Sequence, residues 1–166
     1  MTSVEMAFTP AWQLRDQILA KQVSPVELTE LFLRRIDEFN PKLNAYLTVA
    51  GDQALADARK AESAVKPGAE LGALHGVPIS IKDLNMTKGL RTTRGSLIYK
   101  DNVPDEDEVS IARIRAAGAI ILGKTNTPEF GHSATTENLL GDHGRDPWDT
   151  DRTSGGSRGG AGAGLA

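Results

Sequence analysis

Two residues in this sequence have types and surroundings that could do chemistry. Lys82 closes an apolar run, and Ser157 lies inside the densest glycine cluster of the chain. Val77, Ile79 and Ile81 alternate with other residues in that run, so a strand would direct Lys82 away from the apolar face. A serine hydroxyl needs a nearby base to become reactive, and a lysine can be that base only when it is neutral. Each feature alone is ordinary, because a lysine at a strand end is usually solvated and a serine among glycines usually belongs to a loop.

Two short patterns in the sequence match known enzyme motifs, and both are rejected. Residues 118–125 contain Gly, four residues and then Gly-Lys-Thr, as a phosphate-binding loop does. The four central residues are Ala-Ile-Ile-Leu, which favour a strand, whereas a phosphate-binding loop must expose bare backbone. Residues 155–159 match the nucleophile elbow of α/β-hydrolases, which requires an apolar strand before it and a later acid and histidine. The preceding segment is polar and only seven residues follow, so neither motif predicts the function.

The composition excludes several classes of protein. The 166 residues include no cysteine, which rules out disulfides, thiol nucleophiles and thiolate metal sites. The net charge is −3 without a basic run, so no nucleic-acid partner and no membrane partner are expected. His75, His132 and His143 are not spaced as metal ligands, and no metal or other cofactor is predicted. The N-terminus lacks the segments of a signal peptide and no apolar run could span a bilayer, which favours a cytoplasmic protein.

The first 64 residues are predicted to form successive helices. One helix starts at Thr9-Pro10, where threonine caps the free N–H groups and Trp12, Leu14, Ile18 and Leu19 form an apolar stripe. A capping box at residues 24–27 predicts the start of the next helix. Its end is predicted at residues 40–41, because the residue before a proline is disfavoured in the α conformation. An alanine-rich helix follows at residues 52–64.

From residue 71 the pattern changes to alternating strands and helices. The sequence predicts a strand that ends at Lys82, a helix over residues 105–117 with four acidic residues in its first turn, and a strand over residues 119–122. The glycine-rich residues at the end of the chain include Ala161, Ala163 and Leu165, which are typical of a tightly packed helix rather than a flexible tail. A helix that leads directly into a buried strand indicates an α/β sheet.

Considered together, the segments around Lys82 and Ser157 resemble the amidase signature family. The resemblance runs from about residue 71 to residue 166, in the family's order and spacing. It is carried by GVPISIKD at 76–83, TTRGS at 92–96, AGA at 117–119, GKTN at 123–126, EFG at 129–131, DPW at 146–148 and RTSGGS at 152–157. This set of segments is far more specific than either rejected motif.

The resemblance implies a Ser-cis-Ser-Lys hydrolase that acts on carboxylic amides. Lys82 would be the catalytic lysine, and Ser157 the bridging serine beside a cis peptide bond, relaying a proton between Lys82 and the nucleophile. The active-site loop around the bridging serine would comprise Gly155, Gly156, Arg158 and Gly159. The family's nucleophilic serine lies beyond residue 166, so the chain alone is expected to be an inactive fragment.

A neutral lysine requires burial and the absence of a carboxylate partner. Asp83 follows Lys82 directly, but adjacent side chains on a strand point in opposite directions, so no ion pair between them is predicted. Arg158 replaces the serine that the family usually has at this position, and its charge would disfavour a second cation nearby. Asp146 replaces the usual asparagine, which is predicted to be an exchange of one turn-capping residue for another.

The fold class implied is α/β, with N-terminal helices packed on part of a large mixed β-sheet of the amidase signature type, incomplete at the C-terminus. Residues 1–166 would be the N-terminal portion of a single domain, with a helical region at 1–70 and the signature core at 71–166. Apolar surface would be exposed where later strands belong. The expected partners are a small-molecule amide substrate and the remainder of the domain or a complementing chain, with a homodimer as a further arrangement.

Three functions remain open at this point. The first is an amidase that hydrolyses carbon–nitrogen bonds, of which this chain is a fragment lacking the nucleophile. The second is the glutaminase-type subunit of an amidotransferase complex, which shares the signature. The third is a catalytically inactive, truncated amidase-like protein.

Overall fold

The fold is a three-stranded mixed sheet surrounded by helices, as described for residues 3–166 in a computed structural model. The helices are α1 Ser3–Ala7, α2 Ala11–Leu19, α3 Pro25–Leu43, α4 Gly51–Ala64, α5 Val109–Ala116 and α6 Gly159–Leu165. The strands are β1 Tyr46–Val49, β2 Pro78–Lys82 and β3 Ile120–Thr125, in the spatial order β1-β3-β2. The central strand β3 pairs parallel with β2 and antiparallel with β1. The α/β class predicted from the sequence is confirmed.

Helix α2 forms where it was predicted, but its cap and its apolar stripe differ from the prediction. Pro10 occupies the capping position with an extended backbone, and the Thr9 hydroxyl donates instead to the carbonyl of Glu5 at 2.8 Å. Leu14 and Ile18 are buried, whereas 66% of Trp12 is exposed. The predicted cap residue was therefore wrong, because the N-cap position is occupied by Pro10, which has no side-chain acceptor.

Helix α3 begins as predicted and ends later than predicted. The Ser24 hydroxyl accepts hydrogen bonds from the N–H groups of Val26 at 3.0 Å and Glu27 at 3.2 Å. The helix continues through Pro41 and ends at Asn44, whose φ of 47° is left-handed and whose N–H donates to the Asn40 carbonyl. A proline in the final turn removes one helical hydrogen bond but does not prevent the turn from closing. The predicted end at residues 40–41 was therefore wrong.

Strand β1 lies in the region that the sequence predicted to be helical. The Asn40 side chain accepts from the Tyr46 N–H at 2.7 Å and donates to the Tyr46 carbonyl at 3.2 Å. The guanidinium of Arg91 donates to the carbonyl of Leu47 at 3.0 Å. These bonds and the pairing with β3 hold a four-residue segment extended, which local sequence could not indicate.

The acidic run before α5 lies outside that helix. The helix begins at Val109, whereas the sequence predicted a start at residue 105. The Asp107 carboxylate accepts from the N–H of Lys88 at 2.7 Å, and the Glu108 carboxylate accepts from the N–H of Met86 at 3.1 Å. The acidic side chains therefore hold the loop after β2 instead of the first turn of a helix. Gly118 follows the helix with a φ of +87°, in agreement with its predicted role at the C-terminus of the helix.

Strand β3 is longer than predicted and is buried along its whole length. It includes the Gly-Lys-Thr of residues 123–125, so the rejection of a phosphate-binding loop is confirmed. In the parallel pair, Lys82 lies opposite Thr125 and Ile81 lies opposite Lys124. The two lysines are thus neighbours along the backbone of the sheet, and strand alternation directs their side chains to opposite faces.

The core has one cluster between α2 and α3 and two clusters on the sheet. Helix α4 packs its small side chains against one side of β3, and α5 contributes Ile111 to the other sheet cluster. The buried apolar residues of the three clusters are Leu14, Ile18, Val23, Leu28, Leu31, Ala50, Ala54, Ala58, Ala61, Ile81, Leu90, Ile111, Ile120, Ile121 and Leu122. Over residues 3–166, the helices are all too short or too polar to cross a membrane.

Candidate active site

The structure brings Lys82 and Ser157 into direct contact, although 75 positions separate them in the sequence. Lys82 is the last residue of β2, and Ser157 lies two residues before α6. The Lys82 Nζ donates a hydrogen bond to the Ser157 Oγ at 2.7 Å. Both residues are partly buried, so the pair is accessible from solvent. An amine beside a hydroxyl at this distance can exchange a proton with it.

Lys82 has no carboxylate partner among residues 3–166. Burial lowers the pKa of the Lys82 ammonium below its ordinary value, and the positive charge of Arg158 lowers it further. Both effects increase the fraction of neutral lysine, which is the form that can accept a proton.

Asp83 is directed away from Lys82, as strand alternation predicted. Its carboxylate is fully buried and accepts hydrogen bonds from the N–H of Thr93, at 2.9 Å, and from the Thr93 hydroxyl. The carbonyl of Asp83 accepts from the N–H of Arg94 at 3.1 Å. The carboxylate that could have kept Lys82 protonated is thus held by a different segment.

Two threonines hold the loop that carries Ser157, and the sequence analysis did not single out either. The Thr136 hydroxyl donates to the Gly155 carbonyl at 2.6 Å and accepts from the Gly159 N–H at 3.1 Å. The Thr127 hydroxyl donates to the Ser157 carbonyl at 3.3 Å. The peptide bond between Gly156 and Ser157 is cis. Thr127 directly follows the GKTN segment and could have been suspected from it, whereas no local pattern marks Thr136.

The glycines of this loop are required by close backbone contacts. A Cβ at Gly156 would lie 2.8 Å from the backbone of Ala134, and a Cβ at Gly159 would lie 2.2 Å from the Thr136 Oγ1. Gly155 has a φ of +76°, which favours glycine. The structure therefore places all of the loop glycines named in the sequence analysis around Ser157.

Arg158 occupies the capping position of α6 and is exposed. Within residues 3–166 its guanidinium makes no ion pair. After burial, the positive charge of Arg158 is the second cause that lowers the pKa of Lys82. Asp146, the other departure that the sequence analysis noted, accepts from the N–H groups of Trp148 and Asp149 and caps a turn as predicted.

Lys124 is a second lysine near the site that sequence analysis did not select. It lies in β3 and is fully buried, and its Nζ donates to the carbonyl of Asn85 at 2.5 Å and to the hydroxyls of Thr87 at 2.8 Å and Thr92 at 3.0 Å. Burial lowers the pKa of Lys124 to about 8, against the opposing effect of the charge on Asp83. In the sequence analysis, Lys124 belonged only to the rejected phosphate-binding pattern and to the GKTN segment that carries the resemblance.

The histidines do not form a metal site in the part of the chain that the structure describes. His75 is buried with its Nε2 2.9 Å from the carbonyl of Ala61, and His143 lies 2.9 Å from Asp142. His75 is thus bound within the core, and His143 is bound at the surface.

An apolar groove of about 380 Å³ lies between α3, β1 and α6, and neither Lys82 nor Ser157 lines it. Phe8, Phe39 and Leu165 line the groove, and 84% of Leu165 is exposed. This exposed apolar groove is separate from the lysine–serine pair.

Comparison with known proteins extends over nearly the whole chain. A sequence model of the Amidase family matches residues 27–166. The A subunit of glutamyl-tRNA(Gln) amidotransferase from Geotalea daltonii is 41% identical over 154 residues, which are 93% of this chain and 32% of that protein. The corresponding protein from Desulfatibacillum aliphaticivorans is 42% identical over 154 residues, with the same coverage.

The solved structures that are similar to this chain include a bacterial aryl acylamidase of the amidase signature enzymes family. Its TM-score is 0.88 at 30% identity, over 96% of this chain and 34% of that chain. A protein from a vestigial complex related to an s-triazine catabolic enzyme has a TM-score of 0.88 at 32% identity, over 93% of this chain and 34% of that chain. The chain thus spans about a third of the length of the curated relatives and solved chains that it matches.

Proposed function

The chain belongs to the Amidase family, and from this premise we propose that it is the lysine-bearing part of a serine hydrolase that cleaves carboxylic amides. The observation that carries the proposal is the 2.7 Å hydrogen bond between the Lys82 Nζ and the Ser157 Oγ, with a lysine whose pKa is lowered. Because the chain spans about a third of its relatives, the activity is proposed for the complete domain.

In the proposed reaction Ser157 relays protons between Lys82 and a nucleophilic serine on another segment of the domain. The nucleophile attacks the amide carbonyl carbon and gives its proton to the Ser157 Oγ, while Ser157 passes its own proton to neutral Lys82. The carbon–nitrogen bond then breaks, and the same path returns a proton to the leaving amine. Water hydrolyses the resulting acyl-serine ester, and the free serine is regenerated.

The proposal assigns a separate role to each feature around the pair. Burial and the Arg158 charge favour neutral Lys82, and the segment that holds Asp83 keeps a carboxylate from pairing with it. The bonds from Thr127 and Thr136 hold the relay serine against the lysine. A general base of this kind contributes about 10²–10⁴ to the rate, and proton transfer between these groups calls for no metal or cofactor.

A second candidate is the glutaminase-type subunit of an amidotransferase complex. The observation that favours it is the identity of 41% and 42% with two amidotransferase subunits of this kind. In that case the amide is the side chain of glutamine, the released ammonia is used by a partner protein, and Lys82 and Ser157 keep the same roles. The two candidates differ in substrate and partner and share the proton path.

The test is to express these residues together with the coding sequence that follows the Ala166 codon and to measure ammonia release. We expect hydrolysis of simple amides or of glutamine, with a loss of at least about a hundredfold in both Lys82→Ala and Ser157→Ala. Lys60→Ala is the matched control, since Lys60 is exposed and pairs only with Asp57 among the described residues.

Each outcome selects one interpretation. Preference for glutamine favours the glutaminase-type protein of an amidotransferase, and preference for other amides favours a free-standing amidase. Full activity in Lys82→Ala would contradict the proposed mechanism. A stop codon after Ala166, with no hydrolysis by the chain alone or with a complementing chain, would establish the inactive, truncated alternative.

A further inference from the structure

Lys124 is a buried lysine that the proposed reaction does not use. None of its surface is exposed, and it lies in the middle of the sheet opposite Ile81, next to the pair formed by Lys82 and Thr125. A buried ammonium group is unfavourable unless hydrogen bonds and a counter-charge compensate it. The burial of Lys124 therefore requires a physical explanation.

The groups that surround the Lys124 Nζ can only accept hydrogen bonds from it. The Thr87 hydroxyl already donates its proton to the carbonyl of Asn85, and the Thr92 hydroxyl donates its proton to the carbonyl of Leu90. The third partner is the carbonyl oxygen of Asn85, which has no proton to donate. Three acceptors require three N–H donors, and only the protonated ammonium has three.

The counter-charge is the carboxylate of Asp83, which is also fully buried. Its Oδ2 accepts from Thr93, whereas its Oδ1 has no hydrogen-bond partner within the described residues. Burial raises the pKa of the Asp83 carboxyl, and the Thr93 hydroxyl and the charge on Lys124 oppose that rise. Burial lowers the pKa of Lys124 to about 8, and the charge on Asp83 opposes that fall. Lys124 and Asp83 form no direct ion pair among the described residues. Their opposite charges therefore compensate each other across a longer distance.

All three acceptors of Lys124 lie on the segment that leaves β2, at residues 85–92. This segment begins three residues after Lys82 and returns at Thr93 to hold Asp83. Anchoring it therefore fixes both the end of β2 and the direction of the Asp83 carboxylate.

We propose that Lys124 is a positioning residue for Lys82: its ammonium anchors residues 85–92 and balances Asp83, so that Lys82 keeps Ser157 as its partner. The proposal rests on the proposed function, because it explains how that base stays free of a carboxylate. Without the charge of Lys124, the buried carboxylate of Asp83 would lack a counter-charge. Lys82, which directly precedes Asp83, would then be the nearest lysine in the sequence that could pair with it.

Other charged groups also face the two lysines. Glu108 and Asp107 raise the pKa of Lys124, and Arg115 lowers it. Both acids are already bound, Glu108 by Asn85 and Asp107 by Arg115, so Asp83 remains the main counter-charge of Lys124. Arg158 is the charge that acts on Lys82.

The test measures the protonation of Lys82 directly and needs no enzymatic activity. The 166-residue chain is acetylated with trace acetic anhydride from about pH 6 to about pH 11, and each lysine is quantified by mass spectrometry, with exposed Lys66 as the reference for the reagent. We expect Lys124→Met to raise the midpoint of Lys82 by about one pH unit, because residues 85–92 are then no longer anchored and the Asp83 carboxylate can turn toward Lys82.

Two further variants separate charge from structure. Lys124→Arg keeps the cation, so the midpoint of Lys82 should stay near that of the unmodified chain. Asp83→Asn combined with Lys124→Met removes both charges, and the midpoint should return to that of the unmodified chain. An unchanged midpoint in folded Lys124→Met, verified by circular dichroism, would overturn the proposal while leaving the proposed function intact.

A second measurement covers the case in which Lys124→Met does not fold. Nitrogen-15 NMR of the unmodified chain at about pH 6 should show Lys124 as an ammonium group whose protons exchange slowly with water, as expected for three buried hydrogen bonds. A neutral or rapidly exchanging Lys124 amine at that pH would contradict the proposal.

Discussion

Two lysines on neighbouring strands of this sheet differ in almost every physical respect. Lys82 is partly exposed, and its Nζ has one hydrogen-bond partner among residues 3–166, the Ser157 hydroxyl. Lys124 is fully buried, its three donors are occupied, and it compensates the carboxylate of Asp83. The comparison shows that a lysine is available for proton transfer when its donors are not all committed, and that burial alone does not make it so.

The largest expected effect is the stability difference between Lys124→Met and Lys82→Met. Removing the buried ammonium leaves Asp83 uncompensated, which should lower the free energy of unfolding by about 3–5 kcal/mol. Lys82→Met removes a partly exposed group and should change it by less than about 0.5 kcal/mol. Urea unfolding followed by circular dichroism measures both, and equal losses in the two variants would eliminate the distinction between the lysines.

The second prediction concerns catalysis, for which Lys82 should matter more than Lys124, the opposite of their order for stability. In the complete domain, Lys82→Met should lower kcat/KM for amide hydrolysis by about 10²–10⁴, because the proposed base is lost. Lys124→Arg keeps the buried charge and should retain activity within about tenfold of the unmodified domain. Ammonia release measures the rates, and a larger loss in Lys124→Arg than in Lys82→Met would reassign the base.

The third prediction concerns the loop that holds Ser157 against Lys82. Gly159→Ala places a Cβ 2.2 Å from the Thr136 Oγ1 and should destabilise the chain by about 1–3 kcal/mol through overpacking. Gly162→Ala is the matched control in the same helix, since nothing lies within 4 Å of its added Cβ, and it should be neutral or stabilising. The midpoints of thermal unfolding of the two variants provide the comparison. Similar midpoints would mean that the close contact at Gly159 is relieved by movement of Thr136.

The fourth prediction is a pH dependence of stability to which Lys124 is the main contributor. The pKa of Lys124 is about 8 in the folded chain, and its ordinary value of 10.5 applies to the unfolded chain. Between these two pH values, Lys124 is protonated in the unfolded chain and neutral in the folded chain. Stability should therefore rise with pH across this window, by at most about 1.4 kcal/mol per pH unit. Lys124→Arg is the control, because arginine stays protonated throughout. Urea unfolding at several pH values should show the rise in the unmodified chain and a smaller rise in the variant, where the lowered pKa of Lys82 still contributes.

The smallest expected effect is that of the charge beside the relay serine. Arg158→Ser removes a cation that lowers the pKa of Lys82, so the pKa should rise, by less than about one unit for an exposed charge. Since the base must be neutral, the acidic limb of the pH profile of kcat/KM should move to higher pH in the complete domain. A shift to lower pH would show that Arg158 acts on a different group.

Much of the fold follows from local signals in the sequence. Ser24 and the proline after it specify the start of α3, and the alternating residues before Lys82 specify β2. The predictions from local sequence were wrong where a side chain binds a segment that is distant in the sequence. Asp107 and Glu108 were predicted to begin a helix, but their carboxylates bind the backbone of residues 86–88. Pro41 was predicted to end α3, but Asn40 and Asn44 complete the last turn around it.

The sequence by itself determined the family resemblance, the candidate pair and the glycine loop, because residue types and spacing are local properties. Only the tertiary structure decided which lysine is free and which is committed. Lys82 and Lys124 each end or interrupt an apolar run, and nothing in the sequence indicates their different environments. The difference arises because the segment after β2 folds over β3 and brings three acceptors and one carboxylate to Lys124, while the loop before α6 brings the Ser157 hydroxyl to Lys82. Hydrogen bonding and burial depend on groups distant in the chain, and these set the protonation of each lysine.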